Sequence, residues 1–154
     1  MPSGANHRFQ STTFNGMTVK DVGSDGNCLF RAVAFLINGS EDDHMKFREQ
    51  TVAWLMENKD IVLPFMGGIS ARVDFHREFG ETDYQEYVAK LRNDGIWGGE
   101  ESLLALASIY NYEIDVHRID MPTWKLKPKP GRQGRKKTIN VFHVRGTHYM
   151  ALTK

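Results

Sequence analysis

The last third of the chain constrains the fold most. It begins with an alternation of polar and apolar residues. "EIDVHRI" at 113–119 alternates up to His117, and "TINVFHV" at 138–144 and "HYMALTK" at 148–154 flank a short "RGT" connection. Successive side chains of a strand point to opposite faces, so these segments read as strands, the last two as a hairpin. A further short strand, "MTVKDV", is expected over 17–22. Between these strand regions the sequence has helical spacing and helical end signals. Helices that fill the first two-thirds, followed by strands, predict an α+β fold: a small sheet covered by helices.

The helical signals are specific. "CLFRAVAFLING" predicts a helix from Cys28 to about Asn38, stopped by Gly39. Ser40 reads as the N-cap of a second helix, with Glu41, Asp42 and Asp43 in its first turn, where the helix dipole favours acids. Met45, Phe47, Val52, Trp54, Leu55 and Met56 would form its packed stripe. "TDYQEYVAKLRNDG" opens with a Thr82/Gln85 capping-box pair and ends at Gly95. After the glycines of "IWGG", Leu103, Leu104, Leu106, Ala107 and Tyr110 predict a buried helical face.

A chain of 154 residues, 40% hydrophobic and 25% charged, fits one globular domain. Residues 17–154 are expected to form it, preceded by a flexible segment over 1–16. No internal repeat or second-domain linker is visible. The longest apolar run, around Ala32–Ile37, is too short to span a bilayer, and "MPSGANHRFQSTTF" has no apolar signal region. One cysteine cannot form an internal disulfide, which points to a reducing compartment and a cytoplasmic location. A monomer is expected.

The net charge of +1 hides an asymmetry. "KLKPKPGRQGRKK" at 125–137 carries seven basic and no acidic residues, which leaves −6 for the remainder. Two prolines and two glycines make this segment a solvated loop between strands. Its other reading is a nucleic-acid or nuclear-import patch.

"SDGNCLFRAV" at 24–33 holds the single cysteine at the expected first turn of a helix. A lone thiol is ordinarily a small buried hydrophobe. Here, however, unpaired backbone N–H groups and the helix dipole favour a thiolate. Asp25-Gly26-Asn27 would form a tight turn whose N–H groups converge on one point, a place for an oxyanion. Of six histidines, His7 lies in the tail, His44 and His76 lie in or beside helices, and His117 and His143 read as sheet residues. His148, at a loop-to-strand edge, is the candidate base. A cysteine early at a helix start and a histidine late on a strand is the order found in papain-like sites. The cysteine and scattered histidines lack metal-ligand spacing, and thiol hydrolysis needs no cofactor.

"DGNCLFRA" at 25–32, "WGGEESLLALA" at 97–107 and "HYMAL" at 148–152 resemble, in order, the three signature blocks of the ovarian tumour (OTU) family of cysteine deubiquitinases. The resemblance spans about Asp21 to Leu152. It implies a papain-like fold, a small mixed sheet packed between helices, and hydrolysis of isopeptide bonds at the C-terminus of ubiquitin or a related modifier. By position Cys28 would be the nucleophile and His148 the general base. Asp25, Gly26, Asn27 and Cys28 would supply the oxyanion hole. Trp97, Gly98 and Gly99, with Tyr149, would line the channel for the Gly-Gly tail, although Trp97 also fits a core position. Many members carry an acid or amide two residues after the histidine; here that residue is Met150, whose thioether accepts no strong hydrogen bond. Asp25 is then the first candidate for the third catalytic residue and Asp21 the second, and Met150→Asp is expected to speed the reaction. The acidic remainder suits the arginines of a ubiquitin tail, with Glu41–Asp43 as a candidate contact. An OTU-like module that binds ubiquitin with weak or no catalysis is the alternative.

Overall fold

The structure, a computed structural model, describes residues 13–23, 25–67, 84–129, 137–144 and 148–154. The strands are β1 Thr13–Phe14, β2 Met17–Lys20, β3 Tyr112–Arg118, β4 Met121–Leu126, β5 Lys137–His143 and β6 Tyr149–Thr153. They form one sheet in the order β1-β2-β6-β5-β3-β4. β3 and β5 run parallel and the other pairings are antiparallel. The helices are α1 Cys28–Asn38, α2 His44–Glu57, α3 Lys59–Gly67, α4 over 84–91 and α5 Glu100–Tyr110. This is the α+β arrangement, with a mixed sheet, that the segment order implies.

The C-terminal hairpin forms as expected. Phe142 faces Met150 and His143 faces Tyr149, and the Val144 N–H donates to the His148 carbonyl at 3.0 Å. β2 lies on the other side of β6, so the last strand sits inside the sheet rather than at its edge. α1 also has its predicted bounds: Gly39 adopts φ 79° and its N–H closes on the Phe35 carbonyl at 2.8 Å.

Other expectations shift for identifiable reasons. The alternation in β3 does not give one buried and one wet face, because Ile114, Asp115, Val116 and His117 are all buried. The sheet is covered on both sides. The α1 and α5 side chains pack with Ile114, Val116, Val141, Tyr149 and Ala151, while Met17, Phe142, Met150 and Leu152 form a separate cluster onto which Phe14 stacks. Of the buried polar side chains of β3, His117 pairs with Asn15 and Asn140 at 2.9 Å each, and Asp115 pairs through one oxygen with Lys125 at 3.1 Å. Thr13 and Phe14, ahead of the boundary expected at residue 17, pair with β2 through an Asn15-Gly16 turn. Both turn residues have positive φ, the geometry of a two-residue hairpin. β4 is an edge strand and so tolerates Pro122. It takes Lys125 and Leu126 out of the expected basic loop, and residues 130–136 of that loop lie outside the described ones.

α2 begins at His44, not at Ser40. Ser40 Oγ accepts the Asp42 N–H at 3.0 Å, so the three acids form a turn ahead of the helix rather than its first turn. Met56 is exposed, and Arg48 and Thr51 share the buried face with Val52 and Leu55. Thr82 of the expected capping box lies outside the described residues, and Gly95, at φ 86°, lies in the turn after α4.

α5 is buried on every side from Glu101 to Ser108. Leu103, Leu104, Leu106 and Ala107 meet the sheet-side core, while Ala105 meets Val52, Leu55, Val62, Met66, Tyr84, Val88 and Leu91 from the other helices. An apolar stripe seen in sequence is therefore part of a central helix between two cores. Leu104→Ala should cost about 2–5 kcal/mol in urea denaturation, against under about 0.5 kcal/mol for the exposed Met56→Ala.

Candidate active site

The first residue of α1 meets the first residue of β6. Cys28 is fully buried, and the Tyr149 N–H donates to its Sγ at 3.3 Å across 121 residues of chain. His148, the residue before Tyr149, is thereby held beside the thiol's segment. Its Nε2 lies 3.5 Å from Asp21 Oδ1. Its Nδ1 is buried and has no hydrogen-bond partner among the described residues. Asp21 reaches the histidine because it follows β2, the neighbour of β6 in the sheet.

Burial pushes the Cys28 thiol above its ordinary range, and the negative charge of Asp25 adds to this. The N–H groups of Tyr149, Leu29 and Cys28 pull the other way without prevailing. The helix start does favour the thiolate as its position suggests, but desolvation outweighs it. Burial thus favours the protonated thiol over the thiolate.

The preceding turn is braced from within. Asp25 Oδ1 accepts the Asn27 N–H at 3.1 Å, and its Oδ2 accepts from Arg31 Nη2 at 3.1 Å. Burial raises its pKa, but the Arg31 and Asn27 hydrogen bonds outweigh this and hold the carboxyl below the usual carboxylate range. Asp25 thus organises the turn, and Asp21 is the acid that stands by the imidazole. Of the four residues expected to supply an oxyanion hole, Asn27 and Cys28 already use their N–H groups inside the turn, the latter on the Asp25 carbonyl at 3.2 Å.

A second loop leans on this turn. A Cβ on Gly26 would lie 1.6 Å from the Gly95 carbonyl oxygen, so only glycine fits. Two residues on, Trp97 is 39% exposed and so is not the core residue its size allowed. Gly98 is buried, and a Cβ there would come within 3.1 Å of the Phe30 ring. Gly99 caps α5, its carbonyl accepting the Ser102 N–H at 2.9 Å. Tyr149 is buried and stacked on His143; what it offers the site is its N–H rather than its ring. Glu41 pairs with Lys20 and Arg31 at 3.7 and 3.6 Å.

The family model for OTU-like cysteine proteases matches residues 23–149. The chain belongs to the OTU family. Over 134 residues this OTU domain is 28% identical to OVARIAN TUMOR DOMAIN-containing deubiquitinating enzyme 7 of Arabidopsis thaliana, an alignment covering 87% of the chain and 32% of that protein. The chain spans about a third or less of the length of the curated relatives it matches. Among solved structures it is similar to the OTUD1 OTU domain, with TM-score 0.66, 23% identity, and coverage of 90% of this chain and 86% of that one. It also resembles an OTU domain in complex with ubiquitin, with TM-score 0.62, 20% identity, and coverage of 88% and 69%.

Sequence reasoning missed Arg48, Asp94 and Gly95, which grip the Cys28 turn. Arg48 was detectable: with Thr51, Val52 and Leu55 it falls at the i, i+3, i+4, i+7 positions of α2's buried face, where a charge needs a dedicated partner. Asp94 and Gly95 carry no comparable signal.

Two outcomes follow for this OTU domain. Alkylation of Cys28 by iodoacetamide in the free protein should keep rising with pH beyond the ordinary thiol range instead of levelling near neutrality; a plateau at neutral pH would refute the burial account. The same raised pKa makes its contribution to stability complete below the unfolded thiol's pKa and lost as pH climbs through the folded one. Met150 is packed with Met17, Phe142 and Leu152, so Met150→Asp buries a carboxylate among apolar groups. Contrary to the acceleration that the motif suggests, it should lower stability by about 3 kcal/mol in urea denaturation and give no faster enzyme.

Proposed function

We propose that this OTU domain hydrolyses the isopeptide bond at the C-terminus of ubiquitin, with Cys28 as nucleophile and His148 as general base. The observation that carries the reading is the state of the His148 ring. Nε2 faces Asp21, and Nδ1 is buried and unpartnered on the residue adjoining the N–H that touches Cys28 Sγ. A ring oriented through one nitrogen has the other free to take a proton.

In the reaction, Nδ1 accepts the thiol proton as Sγ attacks the carbonyl carbon of the terminal glycine. The carbonyl π electrons move to oxygen, and the N–H groups of Asp25 and Gly26, rather than the Asn27 and Cys28 groups already used inside the turn, stabilise the resulting oxyanion. Collapse expels the lysine amine, which takes the proton back from Nδ1, and leaves a thioester on Cys28. Water, deprotonated by the same nitrogen, attacks the thioester and releases a carboxylic acid and the thiol. Asp21 holds the ring and stabilises its positive charge.

Three further features support this substrate. The family's relatives include a protein named as a deubiquitinating enzyme, and similar solved domains are bound to ubiquitin. The exposed Trp97 beside side-chain-free positions suits a tail ending in Gly-Gly. The −6 charge outside 125–137 suits the tail's arginines.

A ubiquitin bearing a thiol-reactive C-terminus should form an adduct mapped by mass spectrometry to Cys28, and none with Cys28→Ala. His148→Ala should lower kcat/KM by roughly a thousandfold with the fold retained. Absence of an adduct from folded wild-type protein, together with measurable ubiquitin binding, would make the domain a binder instead of an enzyme.

A further inference from the structure

Asn27 lies buried between two segments that the proposed reaction needs together. Its Oδ1 accepts from Arg48 Nη2 at 2.6 Å and from the Gly95 N–H at 3.0 Å, and its Nδ2 donates to Asp94 Oδ1 at 2.8 Å. Two donors at the oxygen and a carboxylate at the nitrogen fix the amide in one orientation. Arg48 comes from α2, fully buried. Its Nη1 donates to the Leu91 carbonyl at 2.7 Å, its Nη2 also reaches the Gly26 carbonyl at 3.2 Å, and the guanidinium lies 4.5 Å from the Phe30 ring centroid. Across this seam the Gly26 and Gly95 backbones touch. Asn27 immediately precedes Cys28, and Gly95 stands two residues before Trp97.

We infer that Asn27 is a positioning residue. Through Asp94 and Gly95 it holds the segment carrying Trp97 against the turn carrying Cys28, so that the wall for the substrate tail and the nucleophile form one rigid unit. The inference rests on the ubiquitin-hydrolase reading for what passes along Trp97. It differs from a space-filling role, because it depends on the donor end of the amide and not on its shape.

Asn27→Asp separates the two. It keeps the size and the acceptor toward Arg48, with which the new carboxylate pairs more strongly, but it sets a second carboxylate against Asp94. Adding Asp94→Asn restores a donor across the same gap. The readouts are KM and kcat for a ubiquitin with a C-terminal fluorescent leaving group, and the NMR exchange rate of the Gly95 amide. In Asn27→Asp, KM should rise about tenfold with kcat changed less than about threefold, and Gly95 exchange should quicken about tenfold; the double variant should return both to within about threefold of wild type. An Asn27→Asp protein with unchanged KM and exchange, or a double variant no better than the single, overturns the inference. If Asn27→Asp does not fold, Asp94→Ala at its exposed site carries the test, a rise in KM with faster Gly95 exchange supporting the clamp and no change in either overturning it. If wild-type protein cleaves no ubiquitin substrate, the functional reading fails on its own, and Gly95 exchange across the same variants decides whether the clamp exists.

Discussion

A guanidinium sealed in the interior is the interaction on which the site depends. Among the described residues no carboxylate bonds to Arg48; it is held by two carbonyls, the Asn27 amide oxygen and the face of Phe30. Burial presses its pKa down, and the charges of Asp94 and Asp25 oppose that. A buried cation without such neighbours is costly, so the α4 end, the Gly26 turn and Asn27 must all be in place for α2 to keep its buried face. The same constraint works in reverse: once α2 packs, the turn before Cys28 has one position. The placement of the Cys28 turn is therefore set by a different helix, α2, through Arg48.

The sheet supplies the other half. β6 lies between β2 and β5, and each neighbour places something. β2 leads into Asp21, β5 brings His143 to stack on Tyr149, and β6 itself presents His148 and the Tyr149 N–H. The carboxylate nearest the His148 ring stands just after the adjacent strand β2 rather than on the histidine's own strand. Met150 is accordingly free to be a packing residue in the cluster with Met17, Phe142 and Leu152.

Much of this was legible in the residues. The bounds of α1 and the β5–β6 hairpin follow from local signals, a glycine stop and a short connection between two strands, whereas the meeting of Cys28 with the His148 segment was expected only from the order of the two residues along the chain and the family resemblance. What was not legible depends on partners distant in sequence. The one-sided stripe on α5 gives no hint of the second core behind it, and alternation in β3 gives none of the cluster on the sheet's far face. β4 hides behind a proline that only an edge strand accepts. Asp25 was the first candidate for the orienting acid because it is near Cys28 in sequence; Arg31, one helical turn further along, bonds its carboxylate, while the strand pairing sets Asp21 3.5 Å from the imidazole. Arg48 was missed although it shares α2's buried face with Val52 and Leu55, and Gly95 was read only as a helix end; Asp94 and Gly95 are exposed loop residues whose partner, Asn27, is far away in sequence.

The position of β6 also bears on how the protein is made. The strand that brings His148 and the Tyr149 N–H to Cys28 is the last of the six to be synthesised, yet it fills a slot in the interior of the sheet. Until it leaves the ribosome, β2 and β5 have no common neighbour, and the thiol lacks both the His148 side chain nearby and its backbone donor. A nascent chain with α1 already formed thus carries an incomplete site, and insertion of one five-residue strand completes sheet and site in the same event.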